Sequence, residues 1–270
     1  EGVPDGLDRA TVLLCTWPRF LESGQADDWL ACQADPHWAP NGVPLGGIGA
    51  GKVEVSRDGR FRNFSGNNNQ DMPFEEPDGL DGAYLAVACD GEQRLLATRP
   101  MAGIQPCDNL RPSLMFPQVN LRSVEVFPGI TVEVTLYSAF LPHDVEQSSM
   151  PGFIARWTVL NDRTAPAMVT CRLGWPNLVG SGGGVGKPET KLGFADGHYR
   201  FWTAPDDPTA EVVDLEDGRG ICYGNAPSDV SPAADGHHYV VGGPNTDVDA
   251  DPHRGSIAQH VTVEPGQRKS

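Results

Sequence analysis

From Lys52 onward the chain alternates apolar and polar residues. "KVEVSRDGRF" alternates on both sides of Asp58-Gly59, and "AYLAVACDGEQRLLA" does so around Asp90-Gly91. Asp-Gly between alternating runs predicts a β-hairpin, because glycine accepts the positive φ of a tight turn. In "VNLRSVEVFPGITVEVTLYSAF", Val119, Leu121, Val124 and Val126 precede Pro128-Gly129, and Ile130, Val132, Val134 and Leu136 follow it. "GFIARWTVLND" and "AMVTCRLGW" add two runs joined by "NDRTAP", and "DGHYRFWTA", "GICYGNA", "HHYVVGG" and "SIAQHVTVEPG" complete the series. About ten short strands without a helical period between them predict an all-β fold, here a large two-sheet antiparallel β-sandwich.

Residues 1–40 hold Trp17, Trp29 and Trp38 with little periodicity. They predict an irregular N-terminal segment packed on the sandwich, with one short helix near Pro18 to Leu30. The sandwich itself is expected over 41–270, interrupted by long loops at 66–82, 176–195 and 224–236. No internal repeat is found, which argues against propellers and solenoids. "HVTVEPGQRKS" reads as a strand, a Pro-Gly turn and the start of a returning strand. An unfinished hairpin leaves an open edge. The sandwich is therefore expected to lack its last strand, with polypeptide continuing beyond Ser270.

Composition narrows the partners. The 270 residues carry a net charge of −16, which argues against nucleic acid and anionic membrane surfaces but not against neutral sugars. Glycine (32) and proline (24) are abundant, as many turns require. No apolar run approaches the ~20 residues of a membrane span, and no signal-like segment opens the chain. The compartment stays open. Cys15, Cys32, Cys89, Cys107, Cys171 and Cys222 lie far apart, without metal-ligand spacing. Cys89, Cys171 and Cys222 fall in strand-like runs and read as small core hydrophobes. Cys15 and Cys32 are a possible pair.

Candidate chemistry thins out on inspection. Gly47, Gly49 and Gly51 alternate too closely for a dinucleotide fingerprint, and a strand rather than a helix follows. "GSGGGVGKPET" (180–190) has Ser181 and Pro188 where a phosphate loop needs Gly and Ser or Thr. "DVDADPH" (247–253) begins like a calcium loop but has Ala258 at the bidentate glutamate position. The seven histidines show no paired ligand spacing, so neither metal nor cofactor is expected. No Gly-x-Ser-x-Gly elbow is present. Glu75, Glu76 and Asp78, and likewise Asp144 with Glu146, read most simply as turns. There remain Asn67, Asn68, Asn69, Gln70 and Asp71. Their amides offer the donors and acceptors that sugar hydroxyls need, and equally suit Asx-turns bonding their own backbone.

Three stretches resemble a known family. "GVPLGGIGAGKVEVSRDGRFRNFSGNNNQD" is similar to the opening signature of the N-terminal domain of glycoside hydrolase family 116, which includes the non-lysosomal glucosylceramidase and bacterial β-glucosidases. "YSAFLPHDVEQSSMPGFIARWTVLND" (137–162) and "LGWPNLVGSGG" (173–183) follow in the family's order, and the final Pro-Gly turn fits as well. The likeness spans roughly 38–270. It implies the β-sandwich part of a retaining exo-glycosidase acting on β-linked sugars, packed against an (α/α)6 helical-barrel catalytic domain. The family's Glu nucleophile and Asp acid/base lie on that barrel, so no catalytic residue is expected in this chain, which alone should be inactive. The barrel would follow residue 270 or form a separate chain.

On that reading Gly46, Gly47, Gly49 and Gly51 let the backbone approach the barrel, and Asn67–Asp71 help shape its substrate site. "NFSGNNNQD" departs from the more basic segment of better-known members, which leaves the glycosyl group open. The alternative is a stand-alone carbohydrate-binding or interaction module, for which Trp175, Tyr199 and Trp202 are the candidate stacking residues.

Overall fold

A computed structural model of the protein describes residues 42–65, 79–179, 207–225 and 237–270. These lie within the compact unit Asn41–Ser270. The Pro18–Leu30 helix, the Cys15–Cys32 pair and the "DGHYRFWTA" strand lie outside the described residues.

The strands are β1 (Val43–Leu45), β2 (Lys52–Val55), β3 (Phe61–Ser65), β4 (Tyr84–Cys89), β5 (Glu92–Leu95), β6 (Leu110–Met115), β7 (Gln118–Phe127) and β8 (Ile130–Tyr137). After the single-turn helix α1 (Val145–Ser148) come β9 (Ile154–Asn161), β10 (Ala167–Pro176), β11 (Pro208–Leu215) and β12 (Gly218–Asn225). β13 (His238–Gly242), β14 (Thr246–Asp249), β15 (Arg254–Val263) and β16 (Arg268–Lys269) complete the described chain. The fold is all-β, as the alternation predicts.

The two-sheet expectation is corrected. The strands form four antiparallel sheets in a propeller-like arrangement: β1-β2-β3, β14-β15-β10-β4-β5, β11-β12-β13 and β16-β9-β8-β7-β6. Alternation fixes which face of a strand is buried but not which strands share a sheet, so the sheet count was not readable. Nor is the arrangement a repeat, since the second sheet draws its strands from three separate stretches.

The predicted hairpins are present. β2 pairs with β3, β4 with β5 across Asp90-Gly91, and β7 with β8 across Pro128-Gly129. Asp90 (φ 53°) and Gly91 (φ 80°) both take the left-handed conformation that a two-residue turn of this kind requires. One apolar core joins the inward positions of both five-stranded sheets. Leu85 and Val87 of β4 and Val169 of β10 share it with Leu121 of β7, Val132 and Val134 of β8, and Val159 of β9. Cys89 and Cys171 are buried there and Cys222 is half-buried; burial pushes the Cys171 thiol up to about 12.

The last turn corrects a second expectation. β16 does not return along β15. It crosses to the other five-stranded sheet and pairs with β9, placing Arg268 opposite Leu160 and Lys269 opposite Val159. Asn161, fully buried, organises this crossing. Its Nδ2 donates to the Val263 carbonyl (2.8 Å) and the Ala165 carbonyl (2.9 Å), its Oδ1 accepts from Arg163 N (3.0 Å), and its own carbonyl accepts from Gly266 N (2.7 Å). Strands β1, β6, β11, β14 and β16 fall outside the alternating runs quoted above, and all five are sheet edges. Edge strands bury less side chain and so need less apolar patterning.

Candidate functional site

The glycine run leaves β1 as a loop and returns as β2. Gly46 (φ 143°), Gly49 (φ 74°) and Gly51 (φ 94°) take backbone conformations that favour glycine. Gly47 is required for a different reason. A Cβ there would lie 2.5 Å from the Ser149 carbonyl carbon and 2.6 Å from the Met150 oxygen, both backbone atoms. The loop is pinned to the β8–β9 connection by Ile48 N donating to the Ser148 carbonyl (2.8 Å) and Gly46 N donating to Ser138 Oγ (2.6 Å). Two of the four glycines thus serve contacts inside the chain, while Ile48, Gly49 and Ala50 form an exposed tip.

That connection is itself ordered. Asp144 caps α1 by accepting from Gln147 N (3.0 Å), which gives this acidic residue a structural role. Ser148 Oγ both accepts from Leu141 N (2.9 Å) and donates to the Leu141 carbonyl (3.0 Å). Ser138 N donates to the Pro117 carbonyl (3.2 Å), joining the β6–β7 turn to the same end of the sheet. On this end Ile48, Met115, Phe116, Phe140, Leu141, Val145, Met150 and Ile154 are all exposed, and the Phe116 and Phe140 rings meet edge to face at 5.2 Å. Single exposed apolar side chains are ordinary; a cluster on adjoining loops is not.

A cavity of about 490 Å³ lies beside the glycine loop, with Lys52, Phe64, Phe153, Trp157, Trp175 and His238 among its lining. Trp175 is only 7% exposed and packs against Phe61 and Phe153 at 5.3 and 5.5 Å. It belongs to the core and is not a stacking platform, and Tyr199 and Trp202 lie outside the described residues. So do Asn67, Asn68, Asn69, Gln70 and Asp71, which follow shortly after Phe64 in the chain.

The polar residue at this cavity that the sequence did not signal is His238. Its Nε2 is buried without a hydrogen-bond partner and its ring lies 4.8 Å from that of Tyr223. Burial holds its pKa down at about 4 against an ordinary 6.5, and a hydrogen bond to the Pro176 backbone offsets this only in part. The imidazole is therefore neutral at pH 7. Between pH 6.5 and 4 the unfolded chain takes up a proton that the folded protein refuses, so stability should fall as pH drops through this window and level off below it. Urea midpoints measured from pH 7 to 4 test this. The decline should flatten in His238→Gln, and an equal decline in that variant would rule His238 out as its source.

The remaining candidates resolve into structure. Asp251 Oδ1 accepts from His253 N (2.9 Å) and Arg254 N (3.1 Å), a turn stabilised by its own side chain. Asp247 Oδ2 accepts from His260 Nε2 (2.7 Å), whose Nδ1 faces Thr170 Oγ1 (2.9 Å), a ladder across three neighbouring strands. Glu54, buried on β2, accepts from Gly42 N (2.9 Å) and Asn63 Nδ2 (2.8 Å) and pairs with Lys52. Each carboxylate is engaged in holding backbone or strands. Among the described residues no group of three His, Cys, Asp or Glu converges as metal ligands, and no helix is long and apolar enough to cross a membrane.

Compared with known proteins, residues 42–220 match the family model described as beta-glucosidase 2, glycosyl-hydrolase family 116 N-term. The match takes in both the glycine loop and the β8–β9 connection. No curated protein matches the chain.

Proposed function

The chain belongs to glycosyl-hydrolase family 116, as its N-terminal part, and on that premise we propose that it is the non-catalytic portion of a retaining exo-glycosidase. The enzyme would hydrolyse β-linked sugars, of β-glucosidase type or a related glycosyl group. In this reading the all-β unit packs on an (α/α)6 catalytic domain. Nucleophile and acid/base reside on that domain. The Asn67–Asp71 segment helps shape the substrate site, its amides meeting sugar hydroxyls.

One observation carries the reading: within the matched residues, the glycine loop and the 138–150 connection are built onto each other to make a single apolar end. A module that works alone gains nothing from such a surface; one covered by a partner domain does. The alternative, a stand-alone carbohydrate-binding module, loses its described stacking candidate with the burial of Trp175.

Kinetics of the complete enzyme on an aryl β-glucoside test the proposal. Hydrolysis is expected from the complete enzyme and none from this chain alone; turnover by the chain alone would overturn the non-catalytic assignment. Replacing Asn67, Asn68 and Asn69 together by alanine should lower kcat/KM roughly tenfold or more with folding intact, as loss of a few sugar hydrogen bonds implies. Unchanged kinetics would remove the asparagine segment from the substrate site.

A further inference from the structure

We propose that the apolar loop end of the β6–β9 sheet is the face on which the catalytic domain docks, with Ile48, Phe116, Phe140, Leu141, Val145 and Met150 as its contact side chains. The inference rests on the chain being the N-terminal part of a two-part enzyme, and it names the surface and its occupant.

Three observations converge on that occupant. The first is direction. β16 runs antiparallel to β9, passing from Leu160 to Val159, and Ser270 Oγ already lies 2.9 Å from Thr158 Oγ1. Polypeptide following in the same direction reaches Ile154, at the loop end, after roughly 13 Å of extended chain. On the premise that the catalytic domain follows in the same chain, it is delivered to this end of the sheet. The second is chemistry. Phe116 and Phe140 stack edge to face while each remains more than two-fifths exposed, and Val145 is three-quarters exposed. An apolar face on the partner domain is its match. The third is rigidity. The loops bearing these side chains are tied together by Ile48 N–Ser148 O, Ser138 N–Pro117 O and the paired Leu141–Ser148 bonds, so the surface is formed before a partner arrives. The open tip at Gly49, where an added Cβ would meet nothing within 4 Å, leaves backbone free for close approach.

The chain carries its own reporters. Met115 and Met150 lie on this surface at 55% and 56% exposure, and Met168 lies on β10 at 64%. With similar exposure, the three should oxidise at similar rates wherever all are open to solvent. The complete enzyme is treated with dilute hydrogen peroxide and sulfoxide is followed at each methionine by peptide mass spectrometry. Met115 and Met150 are expected to oxidise roughly tenfold or more slowly than Met168, because docking removes them from solvent. Equal rates at all three, in an enzyme that hydrolyses the aryl β-glucoside, would overturn the docking face while leaving the glycosidase reading intact. A complete protein without that hydrolysis would overturn the glycosidase reading instead, with the oxidation pattern still legible.

Protection that vanishes on dilution would assign the surface to a second copy of the chain and overturn the proposal. Val145→Asp and Phe140→Asp, both at exposed positions, are expected to restore oxidation of Met150 without changing Met168. Undiminished protection in both variants would exclude these side chains as the contact.

Discussion

Replacing Asn177 by alanine is expected to destabilise the protein by about 3–5 kcal/mol, among the largest effects a single polar substitution produces. Asn177 is 4% exposed at the end of β10. The two hydrogens of its Nδ2 are shared among the carbonyls of Gly224 (2.8 Å), Pro252 (3.0 Å) and Thr209 (3.2 Å), and its Oδ1 accepts from Val179 N (3.0 Å). Those carbonyls belong to β12, to the turn before β15 and to β11. One side chain therefore fastens the β11-β12-β13 sheet to the larger sheet. Alanine would strand several buried backbone groups at once, each costing about 1–3 kcal/mol when unsatisfied. Asn177→Asp should be no better, because its carboxylate would face three carbonyl oxygens. Urea unfolding measures the total, and hydrogen exchange at Ile221 and Tyr223 locates it. A loss under about 1 kcal/mol, or unchanged protection there, would show that the bracket is dispensable.

Gly47→Ala is the second large effect. The new methyl group would press on the backbone of Ser149 and Met150, neither of which can move without disturbing the Ile48–Ser148 hydrogen bond and the end of α1. We expect a loss of about 3 kcal/mol, or roughly 5–10 °C in Tm for a domain of this size. Gly49→Ala is the internal comparison. Its φ of 74° strains any other residue, but its Cβ would touch nothing, so only about 1–2 kcal/mol should be lost. Thermal unfolding of the two variants separates close approach from backbone conformation. Equal losses would mean that the Ser149–Met150 backbone yields to the new methyl group and that close approach at Gly47 costs little.

These two residues also mark the limits of what could be read from sequence. The hairpins at Asp90-Gly91 and Pro128-Gly129 were legible because turn chemistry and alternation are local properties. The division into four sheets was not, because it depends on which distant strands meet: β10 leaves β9 for β4 and β15. Of the glycines, the need for freedom was visible, but the partner of Gly47 was not, since Ser149 is distant in the chain. The asparagine run at 67–69 drew attention by its repetition. Asn161 and Asn177 are single residues at strand ends and gave no comparable signal, although both stand within stretches quoted for the family resemblance. His238 is one of seven histidines that show no paired ligand spacing in the sequence. Its burial follows from Tyr223 and Pro176, residues that no sequence spacing brings near it.

The two five-stranded sheets differ in how far apart their strands lie along the chain. β6, β7, β8 and β9 are successive neighbours, the first three joined by tight turns and β9 reached through the 138–153 connection. In the other sheet the central strand β10 sits between β4, made much earlier, and β15, made much later. Closing long loops is slow, and contacts between neighbours form first. During synthesis the β6–β9 meander can assemble as soon as Asn161 has emerged, whereas β10, once paired with β4, keeps its other edge uncovered until β15 arrives. Unpaired edges of that kind are where nascent chains associate wrongly. Variants that delay β15 should therefore lower soluble yield more than their equilibrium stability would suggest.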